Sequence, residues 1–405
     1  MPTEPLPAIA LPGFVFDLQH RELREVASGQ RVALRPQTAA VLHCLALHAG
    51  RVVPKEELMH FVWSKIVVTD DSLVQCIKDL RRVLGDVAHR IIQTEPKRGY
   101  RMVIDAAPAA DFKQDIRFAS SANGIRIAYA ISGVGPPLVR AAHWMTHVEW
   151  DFRSSVAGEF LRHLSQRYKL LRYDGRGCGL SDRGVQMATL DDAVRDLEAV
   201  VDAAGFSRFA LLGRSQGGAI AISYAARHPD RVSHLVTVGG FLRGQSRRGE
   251  QSASTESIEA FCGVLQEGWG KENSALRQIW TSYAFPGASV EQQDSWNQLQ
   301  RVACSPQDAA TIWRTGALYD ATAEVQRVRC PTLVLHNPDD ALVPFEEGRL
   351  IAAGIKGAHL ETFAGRNHVP LPGEPAFECV MAQIDKFLAV PSPTAPGALI
   401  SEKFV

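Results

Sequence analysis

The chain has 405 residues, in which 44 Lys and Arg are balanced by 44 Asp and Glu, so its formal net charge is zero. This length gives room for two or three domains, and the charge balance excludes attraction to nucleic acid through a net positive charge of the whole chain. Hydrophobic residues at 46% and charged residues at 22% exclude a disordered or collagen-like protein.

The sequence contains no apolar run long enough to cross a membrane, and its first residues do not resemble a signal peptide. Seven scattered cysteines without a Cys-x-x-Cys pair indicate reduced thiols rather than disulfides or zinc. We therefore expect a cytoplasmic protein with no membrane contact, no metal and no organic cofactor.

Composition divides the chain into two patterned regions. Residues 106–114 are small, polar and Pro-containing, which predicts a linker between a domain over 1–105 and a domain over 115–390. Residues 391–405 are rich in Pro, Ser and Ala and predict a flexible tail.

The N-terminal region predicts a small sheet followed by helices. Strands are expected at 14–18 and 31–34, and helices from Pro36 and Pro54. A third helix follows, with Leu73, Ile77, Leu80 and Leu84 at helical spacing. The opposite face of that helix carries Gln75, Lys78 and Arg82, with Arg81 beside them, and a basic strand, turn and strand come next. Polar groups on one helix face suit the major groove of DNA, although such a face can also be simply solvated.

This order of strands, three helices and a basic hairpin resembles the winged-helix output domain of OmpR/PhoB-type response regulators, over residues 12–104. The resemblance implies an α+β winged helix, with 71–84 as the recognition helix and 97–101 as the wing on double-stranded DNA. Because such regulators often bind as dimers, we expect a homodimer. The expected DNA-contacting residues are Gln75, Lys78, Arg81, Arg82, Lys97, Arg98 and Arg101.

In the second region, strand-like and helical runs alternate, which predicts an α/β sheet. At its centre, Gly213-Arg214-Ser215-Gln216-Gly217 stands between a buried strand and an apolar helix, the context of a nucleophile elbow. A serine nucleophile needs a base and a carboxylate that orients the base. Asp340, after a late strand, and His368, in a later loop, supply them in the order Ser, Asp, His, and Asp339 is the rival carboxylate.

These features resemble the α/β-hydrolase superfamily over 115–390, which implies a mostly parallel sheet with a helical cap at about 245–328. The loop Asp174-Gly175-Arg176-Gly177-Cys178-Gly179-Leu180-Ser181 is similar to a loop of haloperoxidase-like and carbon–carbon-bond hydrolases. By the same resemblance, the backbone N–H groups of Gln216 and Trp144 form the oxyanion hole. The usual His-Gly at the second turn is replaced by Ala142-His143, which departs from the pattern.

The cap contains four tryptophans, and their aromatic rings predict a largely apolar pocket. His143 and Arg214 are candidate ligand contacts, and Arg214 either pairs with an anionic group or points to the surface. We expect a one-component transcription regulator whose second domain senses, and can hydrolyse, a small apolar or amphipathic molecule. The alternatives are a working serine hydrolase for an ester, a lactone or a carbon–carbon bond with an attached DNA-binding domain, and an inactive hydrolase fold that serves as an interaction surface.

Overall fold

A computed structural model describes residues 8–11, 13–26, 28–64, 68–86, 91–95, 98–103, 113–185, 189–271 and 275–390. The chain divides into two compact units, Met1–Asp111 and Phe112–Val405. The predicted tail and most of the predicted linker lie outside the described residues, and Gln114, the last linker residue, begins a strand.

The first unit begins with a four-stranded antiparallel sheet in which the strands pair in chain order. Two of its strands fall at the predicted positions, and the other two were not predicted because their short runs show little apolar alternation. In one of these, Glu22–Glu25, Leu23 is the only buried residue. The strands are β1 (Ala8–Leu11), β2 (Phe14–Asp17), β3 (Glu22–Glu25) and β4 (Arg31–Val32).

Three helices and a second small sheet complete this unit. The predicted apolar stripe on the third helix is buried, since Leu73, Ile77, Leu80 and Leu84 all lie in the core of the unit. The short strand between the first two helices pairs with one strand of the hairpin, which closes a three-stranded sheet. The elements are α1 (Pro36–Leu47), β5 (Val52–Val53), α2 (Lys55–Val62), α3 (Asp70–Val83), β6 (Ile92–Glu95) and β7 (Gly99–Met102).

The second unit is built on an eight-stranded sheet. Its strands are β8 (Gln114–Ser120), β9 (Arg126–Ser132), β10 (Pro137–Arg140), β11 (Lys169–Tyr173), β12 (Phe209–Arg214), β13 (Val232–Val238), β14 (Thr332–His336) and β15 (His359–Thr362). The order across the sheet is β15-β14-β13-β12-β10-β11-β9-β8. The six strands from β15 to β11 are parallel, whereas β9 and β8 are antiparallel to their neighbours.

Alternate residues of the central strands enter two separate cores, as the period of two in a strand requires. Leu138 and Leu212 belong to one core, and Val139 and Leu211 to the other. The helices of the sheet are α4 (Gly158–Arg167), α5 (Leu190–Ala203), α6 (Gly217–Arg227), α11 (Phe345–Gly354) and α12 (Pro375–Leu388).

Four further helices lie between β13 and β14, within the segment predicted as the cap. They are α7 (Thr255–Gly268), α8 (Ala275–Ala284), α9 (Val290–Ala303) and α10 (Pro306–Ala317), and we refer to them together as the cap helices. Their buried side chains join the same core as α4 and α12. Among the described residues, no helix is long and apolar enough to span a membrane.

Buried side-chain bonds tie α3 to the hairpin that follows it. Asp86, which is buried, accepts hydrogen bonds from the N–H groups of Ile91 (3.1 Å) and Ile92 (2.8 Å). Arg81 donates from Nη2 to the carbonyl of Ile92 (2.6 Å) and to the hydroxyl of Thr94 (2.9 Å). The position of the hairpin relative to α3 therefore depends on these two side chains.

We predict that Asp86→Ala releases the start of the hairpin, because two buried N–H groups lose their acceptor. Hydrogen–deuterium exchange of the amides in 91–103 should accelerate about ten-fold to a hundred-fold. The matched control is Asp71→Ala, since Asp71 is an exposed aspartate on α3. Equal exchange in the two variants would contradict the role assigned to Asp86.

Candidate active site

Ser215 stands in a strained turn between β12 and α6. Its φ of +49° makes it one of only two described non-glycine residues in the left-handed region, where an L-residue is disfavoured. A Cβ on Gly213 would lie 2.5 Å from the carbonyl oxygen of Gly217, and a Cβ on Gly217 would lie 2.8 Å from that of Ala142. Both positions therefore require glycine for this turn to form, as the nucleophile-elbow motif predicts.

Asp340 and His368 form a buried pair. Asp340 Oδ2 lies 2.6 Å from Nδ1 of His368, while Oδ1 accepts the N–H groups of Leu342 (2.9 Å) and Val343 (3.1 Å). The rival carboxylate, Asp339, is exposed. The structure thus brings His368 together with Asp340, and Asp340 is fixed by two backbone donors.

Nε2 of His368 is buried and has no hydrogen-bond partner in the part of the chain that the structure describes. His368 and Ser215 both line the same cavity, and no hydrogen bond joins Nε2 to the serine hydroxyl in this structure. In a Ser-His-Asp site, Nε2 is the atom that takes the serine proton, so the free nitrogen is on the correct side of the ring.

His336 is a further member of this cluster that the sequence did not indicate. It is buried, its Nε2 lies 3.0 Å from the carbonyl oxygen of Val343, and the same nitrogen lies 3.8 Å from Asp340 Oδ2. Burial lowers its pKa, so the ring is neutral at neutral pH. Only its position as the last residue of β14, four residues before Asp340, could have signalled it.

The two expected oxyanion donors also line this cavity. The backbone N–H groups of Gln216 and Trp144 donate to no other described residue, so both are available to a ligand. The side chain of Gln216 is buried beside Gly316 of α10. The altered turn at Ala142-His143 therefore still places Trp144 at the cavity that contains Ser215.

The cavity has about 100 Å³ of space for the centre of a water-sized sphere, is partly open to solvent, and has the cap helices as much of its wall. Trp144 is at the centre of an aromatic cluster, with its ring centroid 5.2 Å from that of Trp313, 5.4 Å from that of Trp280 and 5.9 Å from that of Trp269. Trp280 and Trp313 line the cavity, whereas Trp269 is packed behind them. The predicted apolar pocket is thus present in the structure.

One end of the cavity is charged. Asp151, which is buried, lies 2.8 Å from Nη2 of Arg140 and 3.4 Å from Nη1 of Arg172. Burial, and to a lesser extent Asp151, raises the pKa of the neighbouring Asp174 to about 7.

His143 also lines the cavity, and burial together with Arg140 and Arg214 holds its pKa well below the usual value. The structure places Arg214 inside the cavity rather than at the surface.

Of the expected DNA contacts on α3, Gln75, Lys78 and Arg82 are exposed. The guanidinium of Arg81 instead donates hydrogen bonds to the hairpin, as described above. The buried Asp79 accepts hydrogen bonds from Gln75 and Arg82, both at 3.2 Å, and also pairs with Arg35. These contacts hold two of the exposed side chains along one line of the helix.

On the hairpin, Arg98 is exposed, whereas Arg101 donates to Glu95 (2.6 Å) and Gln93 (3.1 Å). Lys97, also expected to contact DNA, lies outside the described residues. Among the residues that the structure does describe, no group of three or more His, Cys, Asp or Glu is arranged to hold a metal ion.

Comparison with known proteins agrees with both folds. Residues 29–102 match the family described as transcriptional regulatory protein, C terminal, and residues 151–261 match the α/β hydrolase fold family. The fold classes predicted from the sequence are thereby confirmed.

Individual relatives match half to two thirds of the chain. A non-heme haloperoxidase from Rhodococcus erythropolis is 28% identical over 263 residues, which are 62% of this chain and 92% of that protein. A 2-hydroxy-6-oxononadienedioate/2-hydroxy-6-oxononatrienedioate hydrolase from Cupriavidus pinatubonensis is 27% identical over 207 residues, 50% of this chain and 70% of that protein. The solved structure of an esterase from a Rhodococcus species covers 68% of this chain and 99% of its own, with 23% identity and a TM-score of 0.56. The last comparison shows the fold alone.

We predict that Gly217→Ala disrupts the elbow, because the new Cβ meets the backbone oxygen of Ala142, which cannot move aside as a flexible side chain would. The melting temperature should fall by about 5 °C. The matched control is Gly263→Ala, since Gly263 lies in α7 with open space around its Cβ position. Alanine favours a helix over glycine, so the control should be neutral or slightly stabilising. A loss of stability in both variants would argue against a constraint specific to the elbow.

Proposed function

We propose that this chain, which joins an OmpR/PhoB-type DNA-binding domain to an α/β-hydrolase-fold domain, is a one-component transcription regulator that senses a small molecule. The observation that carries the proposal is a ligand-sized, largely apolar cavity on the same chain as a DNA-binding domain. For binding to regulate transcription, the ligand must have different affinities for the DNA-competent and DNA-incompetent states. A homodimer on two half-sites is the arrangement through which such a difference would act.

In this proposal, α3 enters the major groove and the hairpin touches the backbone or a neighbouring groove. Gln75, Lys78 and Arg82 are exposed on α3 and supply the groove contacts, and Arg98 supplies a wing contact. Arg81 and Arg101 act by a different route, because each donates to the hairpin and so fixes its shape.

A second candidate function is serine hydrolysis of an ester, a lactone or a carbon–carbon bond, either as the signal-erasing step of the regulator or as the main activity. The observations that favour it are the fixed Asp340–His368 pair, the free Nε2 and the two free backbone N–H groups at one cavity. A site that only bound a ligand would not need a carboxylate to set the tautomer of a histidine. The haloperoxidase and dienedioate hydrolase relatives also favour hydrolase chemistry by analogy.

The proposed reaction starts when His368 Nε2 takes the proton of Ser215 and the serine oxygen bonds to the substrate carbonyl carbon. Asp340 holds the imidazole and stabilises its protonated form, while the N–H groups of Gln216 and Trp144 stabilise the oxyanion. His368 then gives the proton to the leaving group, and water releases the acyl group from Ser215 by the same steps in reverse.

We predict that a fluorophosphonate labels Ser215. Once His368 takes the serine proton, the serine oxygen bonds to the phosphorus of the probe and fluoride leaves. Labelling, located by mass spectrometry, should be absent in Ser215→Ala and about a hundred-fold slower or more in His368→Ala. Asp340→Ala and Asp339→Ala form a matched pair, of which only the first should slow the reaction. Wild-type protein that is folded and bound to DNA but never labelled would overturn the hydrolase candidate.

The labelled protein also tests the regulator, since the phosphonyl group occupies the cavity. Its affinity for duplex DNA should differ from that of the unlabelled protein. Identical affinities would count against coupling between the cavity and the DNA-binding domain.

We predict that Arg98→Ala weakens binding to duplexes of unrelated sequence by a similar factor, because a wing arginine that neutralises a phosphate carries no sequence information. The slope of log affinity against log salt should become shallower by about one. The control is Arg195→Ala, which removes an exposed arginine of the other unit and should leave the slope unchanged. An unchanged slope in Arg98→Ala would remove this residue from the interface.

A further inference from the structure

Arg214 is a buried cation with which no described carboxylate forms an ion pair. It is the last residue of β12, lies directly before the nucleophile and is 7% exposed. Its guanidinium lies over the ring of Phe160, 4.6 Å from the centroid, and no described residue accepts a hydrogen bond from it. The neighbouring Arg140, in contrast, is paired with Asp151. Arg214 therefore projects unused donors into the cavity.

The charges around the cavity do not balance. Among the described residues, its charged lining consists of three arginines, Arg140, Arg214 and Arg248, and one carboxylate, Asp151, which is also shared with Arg172. Burial, followed by Arg140, lowers the pKa of Arg214 to about 9 against a smaller opposite effect of Asp151. Because a buried unpaired charge is unfavourable, the cavity favours a ligand that brings a negative group.

The rest of the cavity wall is mainly apolar and aromatic. Trp144, Trp280, Trp296 and Trp313 line the cavity, and their indole N–H groups are buried without an acceptor among the described residues. An indole offers a donor but no acceptor, so these rings give an anionic group no repulsive oxygen and give an apolar group a large contact surface.

We infer that the cavity binds amphipathic carboxylates, with the carboxylate on the Arg214 guanidinium and the apolar part against the cap tryptophans. A planar carboxylate matches the fork of one guanidinium through two parallel hydrogen bonds, and Arg214 is the guanidinium of this wall for which no described residue is an acceptor. This inference rests on the proposed function, because it names the chemical class of the ligand for the same cavity.

The test uses the full-length protein and measures the binding of butyrate, octanoate and decanoate by tryptophan fluorescence. Octan-1-ol and octyl phosphate are the comparison ligands. At least one of the acids should bind, and octanoate should bind about ten-fold or more tightly than octan-1-ol. No measurable binding of any acid, or tighter binding of octyl phosphate than of octanoate, would overturn the inference.

Two methionine variants separate a specific site from a general positive field. Arg214→Met should remove the preference for octanoate over octan-1-ol, whereas Arg248→Met, which removes another cation from the same wall, should retain it. Equal losses in the two variants would overturn the assignment to Arg214. Melting without ligand is a second readout, since Arg214→Met removes an unpaired buried charge and should raise the melting temperature. A lower melting temperature would assign Arg214 a structural role instead.

Measuring DNA affinity with each ligand present distinguishes failure of this inference from failure of the proposed regulator. A carboxylate that binds through Arg214 without changing DNA affinity would support the inference and overturn the sensor. If octan-1-ol binds as tightly as octanoate and changes DNA affinity, this inference is overturned and the sensor is supported.

Discussion

The left-handed backbone of Ser215 is the constraint on which the candidate active site of the second unit depends. It turns the chain from β12 into α6 within two residues, so the serine stands at the N-terminus of a helix, where N–H groups without helical partners converge. The turn closes only because Gly213 and Gly217 have no side chain to collide with Gly217 and Ala142. Gly218 extends the same requirement, since its Cβ would lie 2.9 Å from Cα of Gly240, beyond the end of β13.

Structural features that depend on residues close together in the sequence could be predicted. The elbow is such a feature, and so is the buried stripe on α3, because spacing alone decides which residues share a helix face. Both fold classes also followed from the order of elements and are confirmed by the family matches. Spacing alone does not show which of the adjacent Asp339 and Asp340 faces inward. The structure favours Asp340, because its carboxylate accepts the N–H groups of Leu342 and Val343.

Contacts between distant segments could not be predicted. Arg81 is basic and lies next to the exposed face of α3, yet its direction is set by carbonyl and hydroxyl groups of a hairpin that begins eleven residues later. The pairing of Arg140 and Arg172 with Asp151 joins two strands and a short 3₁₀ helix, and no periodicity encodes it. The same holds for Arg214, for which the sequence left a surface position and a ligand contact equally open. Short strands such as β3 were missed because a four-residue strand with one buried side chain carries almost no pattern.

The cap helices occupy one continuous stretch of sequence, 255–317, that contains none of the three residues of the Ser-Asp-His set. Ser215 precedes it, and Asp340 and His368 follow it; the cap touches this set at one backbone bond, from the N–H of His368 to the carbonyl of Ala284 at the end of α8 (2.9 Å). Substitutions of cap side chains can therefore reshape what the cavity accommodates without replacing any of the three residues or any residue of the first unit. In evolutionary terms, the ligand of the regulator that we propose can drift while its Ser-Asp-His set and its DNA-binding residues stay the same. Duplicated copies of such a gene would, under that proposal, diverge into a set of regulators that share one architecture and respond to different molecules.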